Sequence, residues 1–184
     1  MKKAILSILG RDRPGIVAAV ARGLLDLDCN IENVSMAMLQ TEFAGIFLVG
    51  MPEGVTVGEI EETLTARLDP LGLQVVVKPC TPPGLEEPAV RSEPFVITSR
   101  GPDRKGLVAH IAEVIARHGV NITRLQAVFK GGSHPADNLM IFEVEVPEAV
   151  DAGTLRRELH AAAERLGLEI TLQHSYIFET LHRI

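Results

Sequence analysis

The feature that most restricts what this chain can become is an internal copy. The stretch GRDRPG at Gly10 to Gly15 returns as GPDRKG at Gly101 to Gly106, 91 positions later. At that offset Asp12 matches Asp103, Arg13 matches Arg104 and Gly15 matches Gly106. Ile16-Val17-Ala18 matches Leu107-Val108-Ala109, Leu24 matches Ile115, and Asn30-Ile31 matches Asn121-Ile122. Further on, Pro52 with Pro147 and Gly72-Leu73 with Gly167-Leu168 run at an offset of 95, so the second copy has gained four residues. The gain falls most simply in GGSHPADN, Gly131 to Asn138, whose Gly, Ser, Pro and Asn are turn chemistry. A repeat of this length in 184 residues means two small units of one kind. Between them, CTPPGLEEPAVRSE, Cys80 to Glu93, holds three prolines and three glutamates and reads as a linker. The expected division is residues 1–79, linker 80–93 and residues 94–184.

Each copy has the same order of patterns. In the first, Lys3 to Leu9 is a short apolar strand. A helix follows from about Pro14 to Leu27, with Ile16, Val20, Leu24 and Leu27 on one stripe. Asn30 to Gln40 alternates and Phe43 to Met51 is a further strand. Thr56 to Asp69 is an amphipathic helix with Ile60, Leu64 and Leu68 inward, and Leu73 to Lys78 closes the unit. The second copy gives strands at Phe95–Arg100, Asn121–Lys130, Asn138–Val146 and Glu169–Phe178, with helices near Lys105–His118 and Ala152–Leu166. Val34, Met36 and Met38 share one face of the alternating strand, and Leu125, Ala127 and Phe129 replace them in the second copy. That spacing assigns them, with Met140, to the core. The order β-α-β-β-α-β, twice, predicts an α+β protein: two tandem ferredoxin-like βαββαβ units, each an antiparallel sheet with both helices on one face. Such a fold hosts many functions and names none.

Composition narrows the function classes. A net charge of −6 with no basic run argues against direct nucleic-acid binding. The opening MKKAILSILGRDRPG meets charge too early for a signal peptide, and no stretch reaches the roughly 18 apolar residues of a membrane span. A soluble, cytoplasmic protein is expected. Cys29 and Cys80 belong to no metal or redox motif, and the six histidines form no metal-ligating spacing. No nucleophile–base setting, GxGxxG or Walker motif occurs, so neither catalysis nor a cofactor is expected.

The repeated turn joins a strand end to a helix start. A helix N-terminus offers unpaired N–H groups and partial positive charge, and Gly15 and Gly106 leave the backbone approachable. Asp12 and Asp103 could receive an ammonium group. A free amino acid, anionic at one end and cationic at the other, suits that mixture. The same residues also make an ordinary helix start, with Asp as the cap and Pro14 near the first helical position. Likewise Asn30 and Asn121 fit both turn chemistry and ligand contact.

GRDRPGIVAAVARGLLDLDCNIENVSM and GPDRKGLVAHIAEVIARHGVNITRLQA resemble ACT domains, small regulatory modules that sense amino acids. The shared marks are the D-x-x-G turn, the apolar helix after it and the G/C-x-N-I start of the second strand. Two such units and a linker resemble the layout of the glycine cleavage system transcriptional repressor family. The resemblance implies ligand pockets at interfaces between units, made from the turn of one and the second-strand start of its neighbour. Carried over, the binding residues are Asp12, Arg13, Gly15, Ile16, Asn30 and Ile31 in the first unit. In the second they are Asp103, Arg104, Gly106, Leu107, Asn121 and Ile122. Lys105 in place of Pro14, and Pro102 in place of Arg11, mean that the two sites need not bind the same thing. The ligand implied is a small amino acid such as glycine or serine. Without a helix-turn-helix, any effect on transcription passes through a DNA-binding protein partner. A regulatory subunit for an amino-acid or folate-pathway enzyme, and a dimerisation module without ligand, are the competing readings. Ser35, Ala37, Gln126 and Val128 on the open sheet faces suit association, so a homodimer is expected.

Overall fold

The computed structural model describes residues 2–80, 91–128 and 138–176. The inserted loop, most of the linker, Phe129-Lys130 and Ile177-Phe178 of the expected strands, and His134 lie outside the described residues. The chain divides into two compact units, Met1–Glu86 and Glu87–Ile184.

Unit 1 runs β1 (Lys2–Arg11), α1 (Ile16–Leu25), β2 (Asn30–Leu39), β3 (Glu42–Met51), α2 (Val57–Leu68) and β4 (Leu73–Pro79). Unit 2 repeats this as β5 (Ser92–Gly101), α3 (Leu107–Arg117), β6 (Asn121–Val128), β7 (Asn138–Pro147), α4 (Ala152–Leu166) and β8 (Glu169–His174). The sheets are ordered β2-β3-β1-β4 and β6-β7-β5-β8, with all described pairings antiparallel. β1 and β2 both pair with β3 and therefore run parallel, with α1 as the crossover between them. This is the split βαβ arrangement, an α+β ferredoxin-like fold in both units.

The helical stripes do what their period requires. Ile16, Val20 and Leu24 of α1 and Ile60, Leu64 and Leu68 of α2 are buried against Ala4, Leu6, Phe47 and Val49. Unit 2 has the same core, built on Leu107, Ile111, Val114 and Ile115 of α3 and Leu155 and Leu159 of α4 around Phe142. Each fully buried aliphatic or aromatic side chain contributes about 1.5–3 kcal/mol. The cores need no disulfide: Cys29 and Cys80 are free, and burial pushes the Cys29 thiol upward.

Two backbone details recur in both units. The exit of the first strand packs tightly on the loop before the last. A Cβ on Gly10 would stand 2.7 Å from the Gly72 carbonyl oxygen, and one on Gly101 would stand 2.9 Å from that of Gly167. The second strand bulges in both units, at Ile31/Asn33 and at Ile122/Arg124, leaving Glu32 and Thr123 out of register.

The alternating strand departs from expectation. Val34, Met36 and Met38 lie in register with Phe47, Gly45 and Phe43, on the helix-facing side of the sheet. Yet they are 46%, 60% and 66% exposed. β2 is an edge strand, and the helices cover the sheet's middle and leave this edge bare. Leu125 and Ala127 of β6 are exposed for the same reason, whereas Met140 is buried as its spacing predicted.

Candidate functional site

The repeated turn is built by the backbone rather than by a side-chain cap. Gly15 and Gly106 are the residues at the helix starts, with φ of 98° and 88°. L-residues with a Cβ rarely adopt this left-handed conformation, and glycine does so freely. It replaces the expected start at Pro14 with Ile16 and at Lys105 with Leu107. Asp12 and Asp103 do not cap: neither α1 nor α3 has a side-chain hydrogen bond at its N-terminus. Instead the Asp12 N–H donates to the Thr41 carbonyl at 2.7 Å, tying the turn to the β2–β3 connection.

The other helix of each unit is the control. Thr56 caps α2 in a full capping box with Glu59, whose carboxyl is held below its ordinary value by hydrogen bonds from the Thr56 backbone and hydroxyl. Asp151 caps α4 through the Gly153 and Thr154 N–H groups, and its carboxyl is held down by hydrogen bonds from the Thr154 side chain and from both backbones. So the helices that follow the repeated turn keep their first N–H groups free of side-chain partners, while the other two are capped.

Asp12, Arg13 and Gly15 are exposed, and the Ile16 side chain is buried and anchors α1, leaving only its backbone for a ligand. Beside the turn opens a cavity of about 430 Å³. Asp12, Arg13 and Gly15 form its rim, Ile16 to Ala18 one wall, and Met36, Ala37, Met38 and Phe43 the other. Its polar side chains, a carboxylate and a guanidinium, come from the turn at the helix N-terminus, and the rest of its lining is apolar. Small-molecule sites combine these features at about 300–1,000 Å³.

Asn30 and Ile31 are elsewhere. Asn30 pairs with Gly50, which pairs with Lys3, at the opposite end of the sheet from the turn. At about 3.3 Å per residue that is roughly 25–30 Å within one unit. Asn30 is exposed and Ile31 half-buried against the core. In unit 2, Asp103, Arg104 and Gly106 are exposed, Leu107 is buried, and Asn121 and Ile122 again start the second strand at the far end.

The second turn differs in its surroundings. His110, one helical turn beyond Gly106, puts Nε2 3.5 Å from where a Cβ on Gly106 would stand, while none of the described residues lies within 4 Å of that point at Gly15. In register, Asn138 pairs with Gly101 where Phe43 pairs with Gly10. Ala127 stands where unit 1 has Met36. A cavity of about 340 Å³ flanks the base of this turn on the β8 side, lined by Arg100, Gly101, Pro102, Gly167 and Glu169, with no apolar wall like that of unit 1.

Sequence reasoning missed Met36, Met38 and Phe43 as cavity residues because their spacing reads as core. The available signal was the strand order of a split βαβ unit, which puts the second strand at an edge. His110 was also missed; it occupies the position of Ala19 in the first copy.

The family model described as the ACT domain matches residues 2–78 and again 93–173. The chain belongs to the ACT domain family. Over 172 residues it is 27% identical to the glycine cleavage system transcriptional repressor of Escherichia coli, covering 90% of this chain and 86% of that protein. A UPF0237 protein of Methanopyrus kandleri is 38% identical over 79 residues, 42% of this chain and 88% of its own. Among solved structures, an unknown protein from Galdieria sulphuraria superposes with a TM-score of 0.77 at 24% identity, covering 94% of this chain and 98% of that one. Such likeness in structure shows the ACT fold. In the described residues no helix is long and apolar enough to cross a membrane.

Proposed function

We propose that this ACT-domain protein is a non-catalytic regulator that binds a free amino acid at its repeated turns and passes the signal to a protein partner. The supporting observation is the contrast within each unit: the helix after the turn is uncapped at a left-handed glycine, while its companion helix is capped. An α-carboxylate completes what the sequence leaves open, and Asp12 or Asp103 faces the ammonium group. Asp12, Arg13, Gly15 and the Ile16 N–H form one half of the first site, with Asp103, Arg104, Gly106 and the Leu107 N–H as their counterparts. Asn30 with Ile31, and Asn121 with Ile122, are too far away in their own unit and serve a neighbouring copy in a homodimer. The repressor relative suggests a DNA-binding transcription regulator as the partner. The net charge of −6 favours this route over direct DNA contact.

The test is a melting screen against the twenty amino acids. A ligand at 100 times its dissociation constant adds about 2.7 kcal/mol to the native state, a shift of several degrees. Asp12→Ala should weaken the shift, and Gly15→Val should abolish it, after the unliganded melting points are compared. If no amino acid shifts the melting point and equilibrium dialysis finds none bound, the proposal is overturned.

A further inference from the structure

Resting on that reading, we infer that the unit 1 site selects an amino acid with an apolar side chain of about leucine or methionine size, in place of the glycine or serine suggested by resemblance. The polar side chains lining the cavity all come from the turn. With the α-carboxylate on the first N–H groups of α1 and the ammonium near Asp12, the side chain of a bound amino acid points along the cavity toward Met36, Met38 and Phe43.

Met36 and Met38 are 60% and 66% exposed beside this wall, although they lie on the helix-facing side of the sheet. Glycine would leave them wet, and serine would set a hydroxyl against them with no polar partner among Met36, Met38 and Phe43. An apolar side chain removes their surface from water, worth about fourfold in affinity for each methylene buried. The unbranched thioethers of Met36 and Met38 adapt to branched or straight ligands, so the selection is by polarity and size rather than by exact shape.

Among the described residues, unit 2 lines the corresponding place differently. Asn138 replaces Phe43 and Ala127 replaces Met36, while His110 leans over Gly106. The apolar preference is therefore assigned to the first unit.

The experiment is calorimetric titration of the full chain with leucine, methionine, glycine and serine, for wild type and for Met36→Thr/Met38→Thr. Threonine keeps strand propensity at two exposed positions, so the variant is expected to fold. Leucine or methionine should bind on the order of tenfold or more tighter than glycine in the wild type. The variant should bring the four ligands to within about threefold of one another, with light scattering unchanged. Equal or tighter binding of glycine or serine by the wild type overturns this inference and leaves the proposed function standing. No binding of any amino acid overturns both. An apolar preference that survives in the variant also overturns it, by placing the side chain elsewhere. So does a variant that dissociates into monomers with its preference intact, since the exposed methionines then serve a second copy.

Discussion

The two units share a backbone and differ in what surrounds the turn. Gly10 and Gly101 make the same close approach, Gly15 and Gly106 the same left-handed start, and Glu32 and Thr123 the same bulge. Around that frame, Phe43 has become Asn138, Met36 has become Ala127, Ala19 has become His110 and Ile8 has become Ser99. The positions held fixed are those where the main chain has no alternative. Two of the changed positions, Phe43 and Met36, line the cavity, where a change alters what can bind without altering the fold.

If the frame is truly shared, equivalent core losses should cost the same in both units. Phe47 and Phe142 occupy one position and are 1% and 0% exposed. Phe47→Ala and Phe142→Ala should each destabilise their unit by about 3–5 kcal/mol in denaturant unfolding. A cost confined to one variant would break the equivalence.

The sharpest asymmetry is at Ile8 and Ser99. Ile8 is a packed core residue, so Ile8→Ala should cost about 2–5 kcal/mol. Ser99 is fully buried and its hydroxyl has no hydrogen-bond partner among the described residues. Ser99→Ala should therefore stabilise unit 2, by up to about 1 kcal/mol. A loss of stability instead would show that the hydroxyl is used in the native protein.

Next in size are the turn glycines. Gly15→Ala and Gly106→Ala each force an L-residue into the left-handed region, at about 1–2 kcal/mol. The two costs should agree, because a new methyl meets open space at Gly15 and ordinary contact with His110 at Gly106.

The smallest effect concerns the capped helices. Glu59 and Asp151 both have lowered folded-state values. Their stabilisation is present above the unfolded carboxylate range and is lost as pH falls below that range through the lowered folded values. Melting points recorded from pH 6 down to pH 3 should fall in both units by similar small amounts. Thr56→Ala should flatten only the unit 1 component, since it removes the partner that holds Glu59 down.

Much of this was legible beforehand. The offset of 91 fixed the number of units, and the 3.6-residue stripe of Ile16, Val20 and Leu24 fixed which face of α1 is buried, because period alone determines which side chains share a side. The start of that helix was not legible. Pro14 and Asp12 carry good start chemistry, but Gly15 at positive φ begins the helix, and φ is decided by how the turn meets Thr41 and the rest of the unit.

The sequence by itself determined the duplication, the element order, the core stripes and the place of the repeated turn, since these follow from local spacing along the chain. Tertiary structure alone decided that Met36 and Met38 stand in the open beside Gly15, that Asn30 lies a sheet's length from Asp12, and that Asp12 caps nothing. Alternation tells which face of a strand a residue is on. Whether anything covers that face depends on the strand's place in the sheet, and that is settled by partners distant in sequence.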